Sequence, residues 1–582
     1  MKPPESEDRS RPEWLAVAAL TAIGFGLRSW PIGQLGLNHF DEGIYALVAS
    51  WSLGPKGLAG LDPMLIPYAP PGYPILGGLA SWLLGRSDGA MIAVSQVAGT
   101  LTIPVVAWLG RRTFGPGAGF ASATFCAFSG PHIAFSRMAL TDVSFLLAWL
   151  IAIGAGMRFL ERPGMVRAIL MGLAVGLAQQ FKYNGWLSGG IVVASAVWGI
   201  FVSPDERRVS AILKTFGWGI LAAGVAWLVA WPWYAFVEAH GGYAALLRHQ
   251  RSYLGGFGDW WPNLLIQMDQ AAALSGDGWI VVPALSVLGL GLLVIDPQAW
   301  RPLLPDFAKA GRLAGISFCI LTEVFFYDSP HKLGLLIAPF ALFGATSTRR
   351  LVGMSWMVLA LLTPFYHPYA RLWLPIQAVQ WLLLGWLMTC GVGVILTRRL
   401  GVESWSRFER LRKFMRTESG VLLMFMVGIL YAKIGRLESG HFGLLGPSDL
   451  LYQATIRVSE ILPKEVQGLR LLVRPPVTYY LAGRVALYPM DGSDQLQKRS
   501  NPRVWALVDS TILRSEPGGI SGWSEHNLPD RFAKDWEVVE TIPTNPSFPT
   551  LLDLDPTTAT STGGDRTYPL WLLRPRTAKV RR

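Results

Sequence analysis

Two adjacent carboxylates stand beside a histidine in Asn38-His39-Phe40-Asp41-Glu42-Gly43-Ile44-Tyr45-Ala46, directly after the first apolar run of the chain. Ionisable groups at the mouth of an apolar segment are costly to desolvate, so such a pair is read first as functional. A partly desolvated carboxylate stays basic enough to take a proton from a hydroxyl or an amine, the task of a general base. The other reading is a loop acid that caps the helix following it.

Four more polar clusters fall at the ends of apolar runs. Ser136-Arg137-Met138-Ala139-Leu140-Thr141-Asp142 offers Arg137 to an anionic head group, with Asp142 to orient an acceptor or Arg137 itself. A helix cap at Thr141 or Asp142 with a snorkelling arginine also accounts for it. In Gln179-Gln180-Phe181-Lys182-Tyr183, a lone lysine among apolar residues calls for an anion such as a lipid phosphate, or else it snorkels within an aromatic belt. Tyr327-Asp328-Ser329-Pro330-His331-Lys332 and Tyr366-His367-Pro368-Tyr369-Ala370-Arg371 each combine a cation, a histidine and aromatics. A departing phosphate gains charge as its bond to a sugar breaks, and a placed Lys or Arg stabilises that charge. Interfacial anchoring is the alternative for both. His39, His331 and His367 show no helical ligand spacing, so no metal-ligating residues are assigned, and a divalent metal requirement stays open.

These clusters need a scaffold, and the composition describes it. The 582 residues are 51% hydrophobic and 15% charged, with 25 Trp and 63 Gly, and mean hydropathy is +0.35. A globular chain carries roughly 25% charge, so a polytopic α-helical membrane protein is expected. The net charge of +12 does not indicate nucleic acid, because the basic residues gather in short connections and at the carboxyl end. Apolar runs near 14–31, 90–110, 117–135, 143–160, 167–181, 185–202, 214–235, 278–296, 312–327, 333–347, 351–366, 371–397 and 419–436 predict about thirteen spans. The shorter run 74–84 suits an interfacial helix. With the first 13 residues cytoplasmic, the basic connections sort inside, and Asp41-Glu42, Asp142, Lys182, the 236–277 stretch, His331-Lys332 and 367–371 lie outside. The three regions are then a tail over 1–13, a membrane domain over 14–436 and an extracytoplasmic domain over 437–582. In the last, β-type runs at 469–473, 485–488, 504–508, 536–540 and 569–573, with helical stretches at 449–462 and 477–482, predict a small α/β soluble domain. Cys126, Cys319 and Cys390 lie in apolar runs as small fillers.

Taken together, His39–Ala46, Tyr68-Ala69-Pro70-Pro71-Gly72-Tyr73-Pro74, Leu109-Gly110-Arg111-Arg112-Thr113-Phe114-Gly115, Ala134–Asp142 and Phe181-Lys182-Tyr183 resemble the GT-C superfamily of polyprenyl-phosphate-dependent glycosyltransferases. The likeness lies near the protein O-mannosyltransferases and the lipid A aminoarabinose transferases, strong over about 14–235 and looser to 400. It implies a GT-C fold in the plasma (inner) membrane, catalysis on the outer face, and inverting transfer of a hexose or pentose from a polyprenyl-phosphate donor to a protein, lipid or cell-envelope glycan. By motif position Asp41 is the implied base with Glu42 beside it, and Asp142 the second catalytic acid. Lys182, Arg371, Arg137 and Lys332 are the phosphate-binding candidates, and His39, Tyr45, Tyr68, Tyr183, His331, His367 and Tyr369 those lining the substrate site. Whether Pro330-His331-Lys332 or His367–Arg371 is the later motif stays open. The rival classes are a transporter, which would place ionisable groups near the midplane and often show inverted repeats, and a non-enzymatic envelope scaffold.

Overall fold

The computed structural model describes residues 11–52, 69–85, 87–202, 208–251, 253–275, 341–342, 344, 346–398, 448–490, 496, 501–515, 530–544, 550 and 568–576. The expected spans 278–296, 312–327 and 419–436, positions 333–340, 343 and 345 of the span 333–347, and the candidates Tyr68, His331 and Lys332 lie outside the described residues.

The apolar runs fold as helices α1 (Arg11–Ser29), α2 (Phe40–Ser52), α3 (Gly72–Leu84), α4 (Asp88–Phe114), α5 (Pro116–Phe128), α6 (Gly130–Ser136), α7 (Thr141–Glu161), α8 (Met165–Phe181), α9 (Trp186–Val202) and α10 (Arg208–Ala239). After α11 (Gly242–Arg251) and α12 (Trp260–Ser275) come α13 (Ser347–Leu362) and α14 (Leu374–Arg398). Local chemistry sets the boundaries. Ser87 caps α4 by accepting the Ala90 N–H at 3.1 Å. Gly115, at φ +109°, closes α4 in a conformation that a side chain would disfavour, and Pro116 opens α5 where its missing N–H is not needed.

The expected span 117–135 is divided. Pro131 at the start of α6 has no N–H to return to α5, so the chain turns at Ser129 into a 13-residue and a 7-residue helix. The 236–277 stretch is likewise helical, occupied by the end of α10 together with α11 and α12. Among the described residues, four helices are long and apolar enough to cross a bilayer: 88–114, 141–161, 183–201 and 213–239. The 13-residue α3 is short of a crossing and leaves Ile75, Leu79 and Trp82 exposed.

The two ends of the bundle differ chemically. At one end Arg112 pairs with Glu161, Arg158 lies over the Trp108 ring at 5.2 Å, and Arg349 lies over the Trp386 ring at 5.4 Å. The other end holds the first turns of α2 and α7, the last of α8 and the entry to α14.

The carboxyl-terminal part is an α/β unit. Helix α15 (Leu450–Ile461) is followed by β1 (Gly468–Leu472), α16 (Pro475–Leu481), β2 (Ala486–Pro489), β3 (Val504–Asp509), β4 (Trp536–Ile542) and β5 (Leu570–Pro575). The sheet order is β2-β1-β3-β5-β4. The first three strands are parallel, and β5 runs antiparallel to both β3 and β4. Alternation along the strands builds two apolar layers. Leu469, Leu471, Leu507 and Leu572 pack with α15 and α16, whereas Leu472, Val508, Trp571 and Leu573 pack with Phe532 and Trp536.

Candidate active site

Four elements converge on one charged cluster. Asp41 enters from the first turn of α2 and Asp142 from the first turn of α7. Lys182 stands in extended backbone at the end of α8. Arg371 lies in the short turn Ala370–Trp373 that leads into α14. Arg371 Nη1 donates to Asp41 Oδ2 at 2.5 Å and lies 4.0 Å from Asp142 Oδ2, while Lys182 Nζ donates to Asp142 Oδ1 at 2.6 Å. Asp142 is 1% exposed, but Asp41 is 24%, Lys182 21% and Arg371 13%, so the cluster is open on one side. Asp142 Oδ2 is buried and, among the described residues, has no hydrogen-bond donor. A buried acceptor of this kind is where an incoming hydroxyl would be bound. Burial pushes the Asp41 carboxyl up, but Arg371, His39 and Lys182 outweigh it and hold the group below its usual 3.8. The expectation that desolvation would raise its basicity is corrected: as these residues stand, the arginine dominates.

Glu42, one residue on, has other work. It is 1% exposed. Its Oε2 accepts the N–H groups of Asn38 and His39, each at 2.7 Å, and its Oε1 accepts that of Ala139 at 2.6 Å. This is a helix cap extended across to the α6–α7 turn, the capping alternative for an acid of this segment. Burial lifts its pKa above the usual 4.5, and the three N–H groups restrain the rise. His39 completes the turn, its Nδ1 accepting the Asp41 N–H at 3.1 Å.

The remaining candidates divide by distance from the charges. Arg371 lies over the Tyr369 ring at 5.1 Å, and Tyr369 packs against His367 with ring centroids 4.5 Å apart. The His367 N–H donates to the Tyr253 carbonyl at 2.8 Å, so the chain before α12 supports the turn carrying Arg371. Tyr45 is buried against Tyr73 at 5.5 Å. Tyr183 accepts the Trp233 indole N–H at 3.1 Å, beside α10. Arg137 closes α6 and is mostly buried, which pulls its pKa down to about 10 and still leaves it protonated at neutral pH. Among the described residues, no group of three or more His, Cys, Asp or Glu is arranged to hold a metal ion.

Several residues that no sequence motif marks also contact this region. Arg474 and Tyr480 of the α/β unit reach the segment before α2, as does Ser448, and Asp509 holds Arg474. Buried Arg28 donates to the Cys126 carbonyl at 3.1 Å and lies 2.7 Å from His132 Nδ1, which ties α1 to α5 and α6. The one available signal was Arg474, a lone arginine between a β-type run and Pro475-Pro476.

The family model for dolichyl-phosphate-mannose-protein mannosyltransferase matches residues 68–236. Among solved structures, ArnT from Cupriavidus metallidurans bound to undecaprenyl phosphate is 12% identical, with 97% of this chain and 98% of that one covered and a TM-score of 0.52. Apo ArnT from the same organism is 14% identical over the same shares, with a TM-score of 0.51. AglB from Archaeoglobus fulgidus, in complex with an inhibitory peptide and a dolichol-phosphate, is 14% identical over 87% of this chain and 70% of its own, at 0.49. No curated protein matches. At these identities the likeness to ArnT is one of fold. The fold and the 68–236 segment support the resemblance to the GT-C superfamily.

Proposed function

We propose that the chain is an integral-membrane glycosyltransferase that moves a sugar from a polyprenyl-phosphate donor to an acceptor on the outer face. The observation that carries the reading is the cluster Asp41–Arg371–Asp142–Lys182, drawn from four separate elements at one end of a bundle with the ArnT fold. A cluster of two acids and two cations carries no net formal charge, so a phosphate binds by exchange: Arg371 and Lys182 turn from carboxylate to phosphate oxygens. That exchange removes the cation holding Asp41 at low basicity and frees Asp41 to accept a proton. In the transfer step the acceptor oxygen or nitrogen loses its proton to Asp41 and bonds to the anomeric carbon. The bond from that carbon to the phosphate oxygen breaks, and its electron pair leaves on the polyprenyl phosphate. The departing phosphate approaches a charge of about −2, which Lys182 and Arg371 stabilise. Asp142 holds an acceptor or sugar hydroxyl through its open oxygen. Glu42 keeps the base in place without touching substrate. Attack opposite the leaving group inverts the anomeric centre.

The test is transfer in proteoliposomes from a panel of radiolabelled polyprenyl-phosphate sugars, with wild type and Asp41→Asn compared at equal folded concentration. Label leaves the lipid with the wild type and not with the variant. Equal release by both would remove Asp41 as the base. Release by neither across the panel would remove the transferase reading.

A further inference from the structure

The segment that delivers Asp41 has no regular secondary structure, yet Leu37 is fully buried, Asn38 is 2% exposed and His39 5%. Buried backbone groups in such a segment need partners. Three of them come from the carboxyl-terminal part of the chain, more than 400 positions away, and the others are local, chiefly Glu42. The Gly36 N–H donates to Ser448 Oγ at 3.2 Å, the Leu37 N–H to the Tyr480 hydroxyl at 2.8 Å, and Arg474 Nη1 donates to the Asn38 carbonyl at 3.1 Å. Arg474 is 1% exposed and is set by Asp509, 0% exposed, through a 2.6 Å bond from Nε. Asp509 is set in turn by Thr511, whose N–H and hydroxyl donate to Oδ1 at 2.9 and 2.7 Å. The Asn38 residue is thereby gripped at both polar groups, its N–H by Glu42 and its carbonyl by Arg474.

We propose that Arg474 and Tyr480 are positioning residues for the reaction: from the carboxyl-terminal unit they fix the Leu37–Asn38 backbone and so aim Asp41 at its partners. This rests on the transferase reading for its kinetic consequence and on geometry alone for its structural one. Neither residue touches the charged cluster in the contacts described above. Each acts through the main chain, where a small displacement of a reacting group is costly. Lysine at 474 keeps the charge beside Asp509 but lacks the guanidinium fork that reaches both Asp509 and Asn38. Phenylalanine at 480 removes only the hydroxyl.

The experiment uses the full-length protein in proteoliposomes as wild type, Arg474→Lys, Tyr480→Phe and the control Arg457→Met, which removes an exposed pair with Glu540 in the same unit. Amide hydrogen exchange is read on peptides spanning 35–43 and on β1, β3 and β5. Turnover is read with polyprenyl-phosphate sugars. Exchange over 35–43 is expected to quicken about tenfold or more in both variants while the strands keep their protection. kcat is expected to fall about 10²-fold with donor KM within about threefold, and Arg457→Met to match the wild type. Unchanged exchange over 35–43, or unchanged kcat once exchange has quickened, would overturn the proposal. If Arg474→Lys loses strand protection, Tyr480→Phe decides on the same criteria. Wild-type inactivity with every donor would count against the transferase reading, and exchange would still decide whether the two side chains hold the segment.

Discussion

Asp41 meets Arg371 across 330 positions of sequence, while its neighbour Glu42 closes on three backbone N–H groups. Residue type made both visible, but not their division of labour, because which carboxylate faces the cleft depends on the helix start and on a turn 97 positions later. Glu42→Gln places an N–H₂ among N–H donors, and leaving them unsatisfied costs about 1–3 kcal/mol. The melting temperature should therefore fall, with activity lost in proportion to unfolding. Asp41→Asn should melt close to the wild type and lose transfer. A Glu42→Gln protein with unaltered melting and no turnover would return Glu42 to the chemistry. The acid response of Asp41 follows from its surroundings. As the proposed base it must be ionised, and with its pKa below the usual 3.8 in the free enzyme the wild-type kcat/KM should show no acid limb from this group near neutrality. Arg371→Gln removes the largest influence opposing burial, so the free-enzyme pKa rises and the residual kcat/KM should fall off at higher pH than in the wild type. A pH–rate profile without that upward displacement would contradict the pairing.

At the scale of elements, hydrophobic pattern marks most of the helices, though not α2, α11 or α12, and all five strands, since bilayer length and strand alternation are local properties. The expected strand 504–508 and the observed Val504–Asp509 differ by one residue. The pattern failed where one proline or a tertiary contact decided the outcome, as at Ser129-Gly130-Pro131, where an apolar run that looks continuous is broken. The seam between α2 and α16 was equally invisible. A Cβ at Gly43 would lie 2.1 Å from Pro476 N and 2.3 Å from the Pro475 carbonyl carbon, so two backbones touch where sequence shows only a helical glycine. Gly43→Ala should therefore force the helix and the α/β unit apart at a cost of about 1–3 kcal/mol. Thermal melting in detergent should register the loss, and an unaffected melt would mean the seam gives way easily.

For the whole molecule, the separation of basic and mixed-charge ends makes orientation testable. Arg162, in the α7–α8 connection, and Ala244, in α11, are both exposed. If the charge distribution sets topology, a cysteine at 244 should react with a membrane-impermeant maleimide added to intact cells, and one at 162 only after permeabilisation. Equal labelling of both from outside would reject the arrangement. What sequence could not supply at this scale was the partnership of the two ends of the chain, since nothing local relates Asn38 to Arg474. That partnership bears on how the protein is made. The two residues are 436 positions apart, and Leu37 and Tyr480 443. A nascent chain can insert its first helices early, but the loop holding Asp41 waits until Tyr480 has left the ribosome and the sheet has closed around Asp509. A chain terminated before Tyr480 would thus lack the contacts that hold the Asp41 segment, whatever length of its membrane bundle had already assembled.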